Sequence, residues 1–436
     1  MAIRVETKHS MLRRCNGWDY RQPCIYQITL VLADRKSQAL GRLEIPEATA
    51  LGTRQPRAAA LGTELSFDSV LEAAASSYIA LSPAGEAVKR EFWALGEHHP
   101  EIKPLEIAIM PDHIHFIIWV LRSMAKPLGN AIGGFKAGSS KAAIGKGGLW
   151  AVGFQDTILF HEGQLEAMFS YLRDNARRLA VKRLIPDLFR VRRDLRINLK
   201  LPLQAQDHLP QAQNNRELPL SVQKLPLQEQ NLPPSSVPAA VAAGLTGHFS
   251  AIGNHFLLES PSLIQVQCSR DYLAYRRIPK PGGGLKIARD EKGAPIIEKT
   301  TTEFEAKRDM LLAAAKHGAV LISPCISDGE REIARLAFAA GLPVVALRNM
   351  GFSSLYKPGG KLFDQTANGK LLLLAPAAWP YQTAEKRMTR FDACALNRIA
   401  QLIAGDGAAE INYHGMKPKD IDRLVREAVK GGPDGQ

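Results

Sequence analysis

The chain has 436 residues, with 56 Lys and Arg against 43 Asp and Glu for a formal charge of +13 and a pI near 9.5. That length exceeds one ordinary core and predicts two domains, while the basic balance favours polyanionic partners through counterion release. Five cysteines, at 15, 24, 268, 325 and 394, form no CxxC pair, which argues against a zinc knuckle or a disulfide framework. With no charged-then-apolar leader and no apolar run long enough to span a bilayer, a cytoplasmic protein in a reducing compartment, with no membrane partner, is expected.

In chain order, the first informative segment is 110–120, Met-Pro-Asp-His-Ile-His-Phe-Ile-Ile-Trp-Val. The branched and aromatic run from Phe116 predicts a buried strand, and Pro111 stands near its start, where a missing backbone donor is tolerated. The period of two then puts His113 and His115 on one face, where two imidazoles can share a divalent metal. Taken alone the pair is equally an ordinary polar strand pair. The next segment, 164–183, repeats Leu165, Phe169, Leu172, Ala176 and Leu179 at helical spacing. Tyr171, Asn175, Arg178 and Lys182 form a second, polar stripe on that helix, with a tyrosine hydroxyl one turn from a carboxamide and close to two cations. His98, His99 and His161 receive no role.

Residues 171–200 hold ten basic and three acidic side chains, over half of the whole chain's excess. A solvated basic face is the plain explanation. Their position beside the candidate site favours a phosphate track through Arg173, Arg177, Arg178, Lys182, Arg190, Arg192 and Arg193, with Lys136 as a weaker candidate. Residues 201–238 contain seven prolines and seven glutamines, with Leu-Pro-Leu recurring at 201, 218 and 225, and offer no core-forming period. A Lys-Pro-Gly-Gly-Gly loop at 280–284 follows. Beyond it, strands at 318–323, 342–347 and 370–374 alternate with a helix at 328–340, the pattern of a parallel, doubly wound sheet. Ligands of such sheets sit beyond the strands' carboxyl ends, which points to Ser323, Pro324, Ser327, Asp328 and Gly329 as a candidate phosphate site. A Ser-Asp-Gly helix cap explains the same residues. No GxGxxG precedes that helix, which disfavours dinucleotide chemistry.

The segments PCIYQITLVL at 23–32, MPDHIHFIIWV at 110–120, PLGNAIGGFKAGSSKA at 127–142 and YLRDNARR at 171–178 resemble the HUH single-tyrosine transposases. Within that family they are most similar to the REP-associated tyrosine transposase-like proteins. The resemblance implies an α+β, ferredoxin-like domain with an antiparallel sheet over residues 20–200. FSAIGNHFLLESPSLIQVQCSR at 249–270 looks like its return, placing 245–270 in the same domain and making 201–244 an insertion within it. It further implies Mg2+ or Mn2+ on His113, His115 and Asn175, Tyr171 as nucleophile, single-stranded or hairpin DNA as substrate, and a homodimer able to exchange tyrosines. Residues 318–347 and 355–376 resemble, more loosely, the Rossmann-like domain of the DNA-processing protein A superfamily, giving an α/β domain at 285–436.

These residue types suit the chemistry. A tyrosine hydroxyl is a poor nucleophile at neutral pH, and an anionic phosphodiester repels attack. A divalent ion answers the second problem by neutralising developing charge. The expectation is a metal-dependent single-strand DNA endonuclease and strand transferase that forms a 5′-phosphotyrosine. The alternative is a non-catalytic DNA-binding or regulatory protein whose C-terminal domain senses a nucleotide or DNA.

Overall fold

The computed structural model describes residues 15, 17–46, 67–160, 163–199, 245–279, 284–291, 293–382, 387–405 and 415–431. The Pro/Gln-rich segment, most of the Lys-Pro-Gly-Gly-Gly loop and His161 lie outside the described residues.

The first half carries strands β1 (Cys24–Val31), β2 (Gly41–Glu44), β3 (Tyr78–Leu81), β4 (Ile102–Met110), β5 (His113–Val120) and β6 (Gln155–Leu159). Its helices are α1 (Phe67–Ala75), α2 (Pro83–Trp93), α3 (Leu128–Ile144), α4 (Gln164–Arg173) and α5 (Asn175–Leu184). Four strands form an antiparallel sheet in the order β4-β5-β1-β6, and β2 and β3 pair separately. Alternation along β5 decides its two faces. Ile114, Phe116, Ile118 and Val120 are buried with Tyr26, Ile28 and Leu30 of β1, against Val88 and Phe92 of α2 and Ile132 and Phe135 of α3. His113 and His115 therefore turn to the opposite face, where α4 and α5 lie along β4.

The expected single helix over 164–183 is two. Asp174 separates them at φ −80° and ψ −5°, its carboxylate taken by the guanidinium of Arg177 at 2.9 Å. Of the five apolar positions expected to face a core, only Leu172 is fully buried; Asn175, Ala180 and Val181 are buried instead. Asn175, the first residue of the second helix, is therefore buried where the apolar period placed it on a polar stripe.

The second half contributes β7 (Arg192–Leu199), β8 (Leu245–Gly253), β9 (Leu263–Gln265), β10 (Leu273–Tyr275), β11 (Arg277–Pro279), β12 (Leu285–Ile287) and β13 (Ile297–Thr300). After them come α6 (Thr302–Lys316), β14 (Val320–Ser323), α7 (Asp328–Ala339), β15 (Val344–Leu347), α8 (Lys361–Ala367), β16 (Leu371–Pro376), α9 (Arg390–Ala404) and α10 (Pro418–Ala428). A six-stranded sheet runs β7-β8-β16-β15-β14-β9. Strands β9, β14, β15 and β16 are parallel; β8 and β7 are antiparallel additions, so the sheet is mixed rather than purely parallel. Its central strands β14, β15 and β16 are apolar on both faces, as burial on both sides requires, whereas the edge strand β7 is largely polar and exposed. Val320, Ile322, Val345, Leu372 and Leu374 pack on α9 and α10, while Leu321, Val344, Leu371 and Leu373 pack on α6 and α7. Capping boxes at Ser327 with Glu330 and at Thr389 with Asp392 start α7 and α9.

One boundary differs from expectation. Residues 249–270 do not return to the first sheet: β8 pairs with β16 and β9 with β14. Phe249, Ala251 and Ile252 are buried in the second core, and β7, also assigned to the first domain, is the edge strand of the second sheet. The physical reason is the ladder from Arg192 to Leu199, which pairs antiparallel with β8 as the two arms of a hairpin. A small apolar cluster joins the two halves, made by Ala74, Ala180 and Val181 with Phe363 and Ala367 of α8.

Leu199 and Leu245 are register partners, so a two-residue turn can close this hairpin. Replacing residues 200–244 with Asn-Gly should leave the thermal midpoint within a few degrees of the full chain's, measured by circular dichroism. Phe249→Ala, by contrast, should cost about 3–5 kcal/mol, as expected for a fully buried ring.

Candidate active site

His113 and His115 come together as expected, with ring centroids 4.8 Å apart and planes at 82°. Each is fixed through Nδ1. Asp112 holds His113 Nδ1 at 2.6 Å, and Thr29, opposite His115 across the β1–β5 ladder, holds its Nδ1 at 2.8 Å with Gln27 at 3.2 Å. Neither Nε2 has a hydrogen-bond partner among the described residues, and outer carboxylates and hydroxyls bound to Nδ1 are the means by which metal-binding imidazoles are oriented. Burial, with the neighbouring His113, pushes His115 down to about 3, so it is a neutral imidazole at physiological pH. Burial raises Asp112, but hydrogen bonds and charge from His113 and Arg35 outweigh it and hold the carboxyl well below the usual range. Arg35 binds it at 2.7 Å.

Tyr171 lies against this pair. Its ring is 5.8 Å from that of His115 and remains 37% exposed, and the Arg178 guanidinium stands 5.5 Å from the same ring. Asn175 is only 8% exposed and lines a cavity of about 320 Å³ with Ala108 and Met110, the cross-strand partners of His115 and His113. Its Nδ2 has no hydrogen-bond partner among the described residues. An orphaned buried donor costs about 1–3 kcal/mol. Half a turn of the carboxamide replaces it with Oδ1, an oxygen donor suited to a hard divalent cation. Among the described residues no three His, Cys, Asp or Glu side chains gather as a metal-holding group. Two imidazoles and an amide oxygen are donor types outside that pattern, and by their chemistry they suit a divalent cation.

The expected phosphate contacts divide. Lys136 donates to the carbonyls of Ala151 and Gly153 at 2.7 and 3.1 Å, so it ties down a loop, and burial lowers its pKa. Arg173 pairs with Glu106 at 3.0 Å. Arg177 binds Asp174 and, across the junction, Asp364 at 3.1 Å. Arg178 lies 3.8 Å over the Phe363 ring and 3.7 Å from Asp174. Arg192 has a buried Nε without a partner at the start of β7. Lys182, Arg190 and Arg193 have no carboxylate partner among the described residues.

In the second sheet the expected phosphate residues are occupied by the protein itself. Ser327 Oγ accepts from the Glu330 amide, and the Glu330 carboxylate accepts from the Ile326 amide at 2.7 Å. Asp328 is bound by Arg277 at 2.8 Å and accepts from the Tyr275 amide at 3.0 Å. Ser323 Oγ accepts from the Cys325 amide. A Cβ on Gly329 would meet Cys268 Sγ at 2.3 Å, so that glycine serves helix packing. The cap accounts for Ser327, with the Glu330 carboxylate on the amides of Ile326 and Ser327, while Ser323, Asp328 and Gly329 are engaged by a turn, an ion pair and packing.

Sequence reasoning missed Asp112, Thr29 and Gln27 as supports, and Phe363 and Lys357 as neighbours. Asp112 was legible as the residue before His113. Thr29 and Phe363 depend on register and packing, which no local pattern carries.

No protein-family model matches the chain, and no curated protein does. Among solved structures, it is similar to a REP-associated tyrosine transposase bound to a REP hairpin, at 12% identity over 37% of this chain and 71% of that one, with a TM-score of 0.24. A likeness at that score carries no argument, and the site stands on its own geometry. No helix among the described residues is long and apolar enough to cross a membrane.

Burial, then the like charges of Lys357 and Arg178, push Lys182 down to about 8 against an opposing pull from Asp112. In a sample with 13C-methylated lysines, one resonance should titrate near that value and vanish in Lys182→Met. Lys357→Ala should move it upward, because a repelling charge has gone.

Proposed function

We propose that the protein is a metal-dependent single-strand DNA endonuclease and strand transferase that uses Tyr171 as its nucleophile. The supporting observation is the tyrosine ring 5.8 Å from His115, whose Nδ1 and that of His113 are already engaged by protein partners. His113, His115 and Asn175 would hold Mg2+ or Mn2+. When bound, the ion supplies Lewis-acid polarisation of a phosphoryl oxygen and neutralises charge developing there. Tyr171 Oη forms a bond to phosphorus as the bond from phosphorus to the 3′ oxygen breaks. The phenol gives up its proton, the departing 3′ oxygen takes one up, and the 5′ end stays on the enzyme as a phosphotyrosine. Attack by another 3′-hydroxyl reverses the step and joins strands without nucleotide hydrolysis. Arg178 and Lys182 place positive charge beside the phosphate, and Asp112 and Thr29 keep the imidazoles oriented.

Tyr171→Phe should abolish covalent capture of a labelled single-stranded oligonucleotide in Mn2+, read as a shifted band on a denaturing gel, while leaving its Kd within about twofold. An adduct at the wild-type rate in that variant rejects the assignment; no adduct from the wild type, with binding intact, favours a DNA-binding or regulatory protein. His115→Ala should lose both the adduct and the Mn2+ binding heat in calorimetry.

The tyrosine and histidines face each other within one chain, which favours attack in cis. Mixing Tyr171→Phe with His113→Ala chains should therefore give no adduct. Restored activity would mean that a dimer exchanges its tyrosine helices.

A further inference from the structure

Two of the expected phosphate contacts with no carboxylate partner among the described residues, Arg190 and Arg193, lie with Lys357 at the junction of the two halves. A groove of about 430 Å³ runs between residues 189–193, which lead into β7, and residues 354–357, which precede α8. Arg190 and Arg193 line one side and Lys357 the other, and among the described residues no carboxylate lines it. All three side chains belong to exposed residues, whereas Arg173 and Arg177 are taken up by Glu106, Asp174 and Asp364. The floor offers an apolar surface: Leu355 is 54% exposed, and Tyr356 packs its ring 4.9 Å from Phe352. Phe189, which also lines the groove, stacks on Phe363, and the Arg178 guanidinium lies over that ring and 5.5 Å from the ring of Tyr171, so the groove adjoins the tyrosine helix.

We infer that this groove holds a single-stranded DNA flank leading away from the phosphate at Tyr171, so that the second domain, through Lys357, Leu355 and Tyr356, is part of the substrate-binding surface. The inference rests on the reading of Tyr171 as nucleophile for the direction of the strand, but not for the binding itself. Cations without carboxylate partners beside the exposed Leu355 and the half-buried ring of Tyr356 suit a strand whose bases are free to stack while its phosphates meet Lys and Arg. A duplex keeps its bases inside and would leave Leu355 and Tyr356 without a base to stack on.

The test uses the full chain and a fluorescent 30-nucleotide single strand, with anisotropy measured over a salt series. Lys357→Glu, and separately Arg190→Ala with Arg193→Ala, should weaken binding and flatten the slope of log Kd against log salt by about one for each phosphate no longer neutralised. Lys307→Ala on α6, which removes one positive charge away from the groove, should leave that slope unchanged. A 5-bromodeoxyuridine strand should crosslink on irradiation to the peptide containing Tyr356, and a matching duplex should not. Unchanged slopes in the groove variants, or crosslinks confined to other peptides, overturn the proposal. Adduct formation at saturating DNA is read in parallel. If adducts form but the groove variants bind normally, the groove fails and the nucleophile stands; if no adduct forms yet the slopes fall, the groove stands and the cleavage reading fails.

Discussion

Phe363 connects most of what matters in this molecule. Its ring is buried, stacked at 4.9 Å on Phe189 and capped at 3.8 Å by the Arg178 guanidinium, which also faces Tyr171. A desolvated cation over an aromatic face is worth about 2 kcal/mol or more. The neighbouring ion pair between Arg177 and Asp364 adds direction to the contact. Through these two arginines the second domain grips the helix that follows the tyrosine, and the position of Tyr171 becomes a property of both halves of the chain. Remote changes in α8 therefore have a physical route to the site that requires no movement of the histidine strand.

The histidine pair shows a different economy. β5 is buried on one face because Ile114, Phe116, Ile118 and Val120 face the first core, and the same alternation delivers the two imidazoles to the other face. The strand does not need to bend to present them. Orientation comes from short side chains on the adjoining strand and turn, Thr29 and Asp112, which have little conformational freedom to lose.

Much of this was legible from local pattern, and what was not has identifiable causes. The strand at 113–120 follows from period and composition, and so do the parallel strands at 320–323, 344–347 and 371–376, whereas the helix after 127 was expected from the family resemblance alone. The single helix over 164–183 was an over-extension: its apolar period runs through Asp174, where the structure divides it into two helices, and the period alone carries no mark of that division. The fate of 249–270 could not be read locally. Short apolar strands carry no label for the sheet they join, and its partners lie more than fifty residues further along the chain. The basic run at 171–200 misled in a similar way, because composition counts charges while pairing with Glu106, Asp174 and Asp364 removes some of them from the surface.

The placement of β8 has a consequence for synthesis. Its neighbour in the second sheet is β16, and more than a hundred residues separate the end of one from the start of the other. At about 5–20 residues per second, a nascent chain would carry the β7–β8 hairpin for roughly ten seconds with Phe249 and Ile252 uncovered and one strand edge unpaired. The first sheet, complete by residue 159, can close well before that. The interval between the two events is the period in which this chain is most exposed to aggregation, and when a holdase chaperone would have the most to bind.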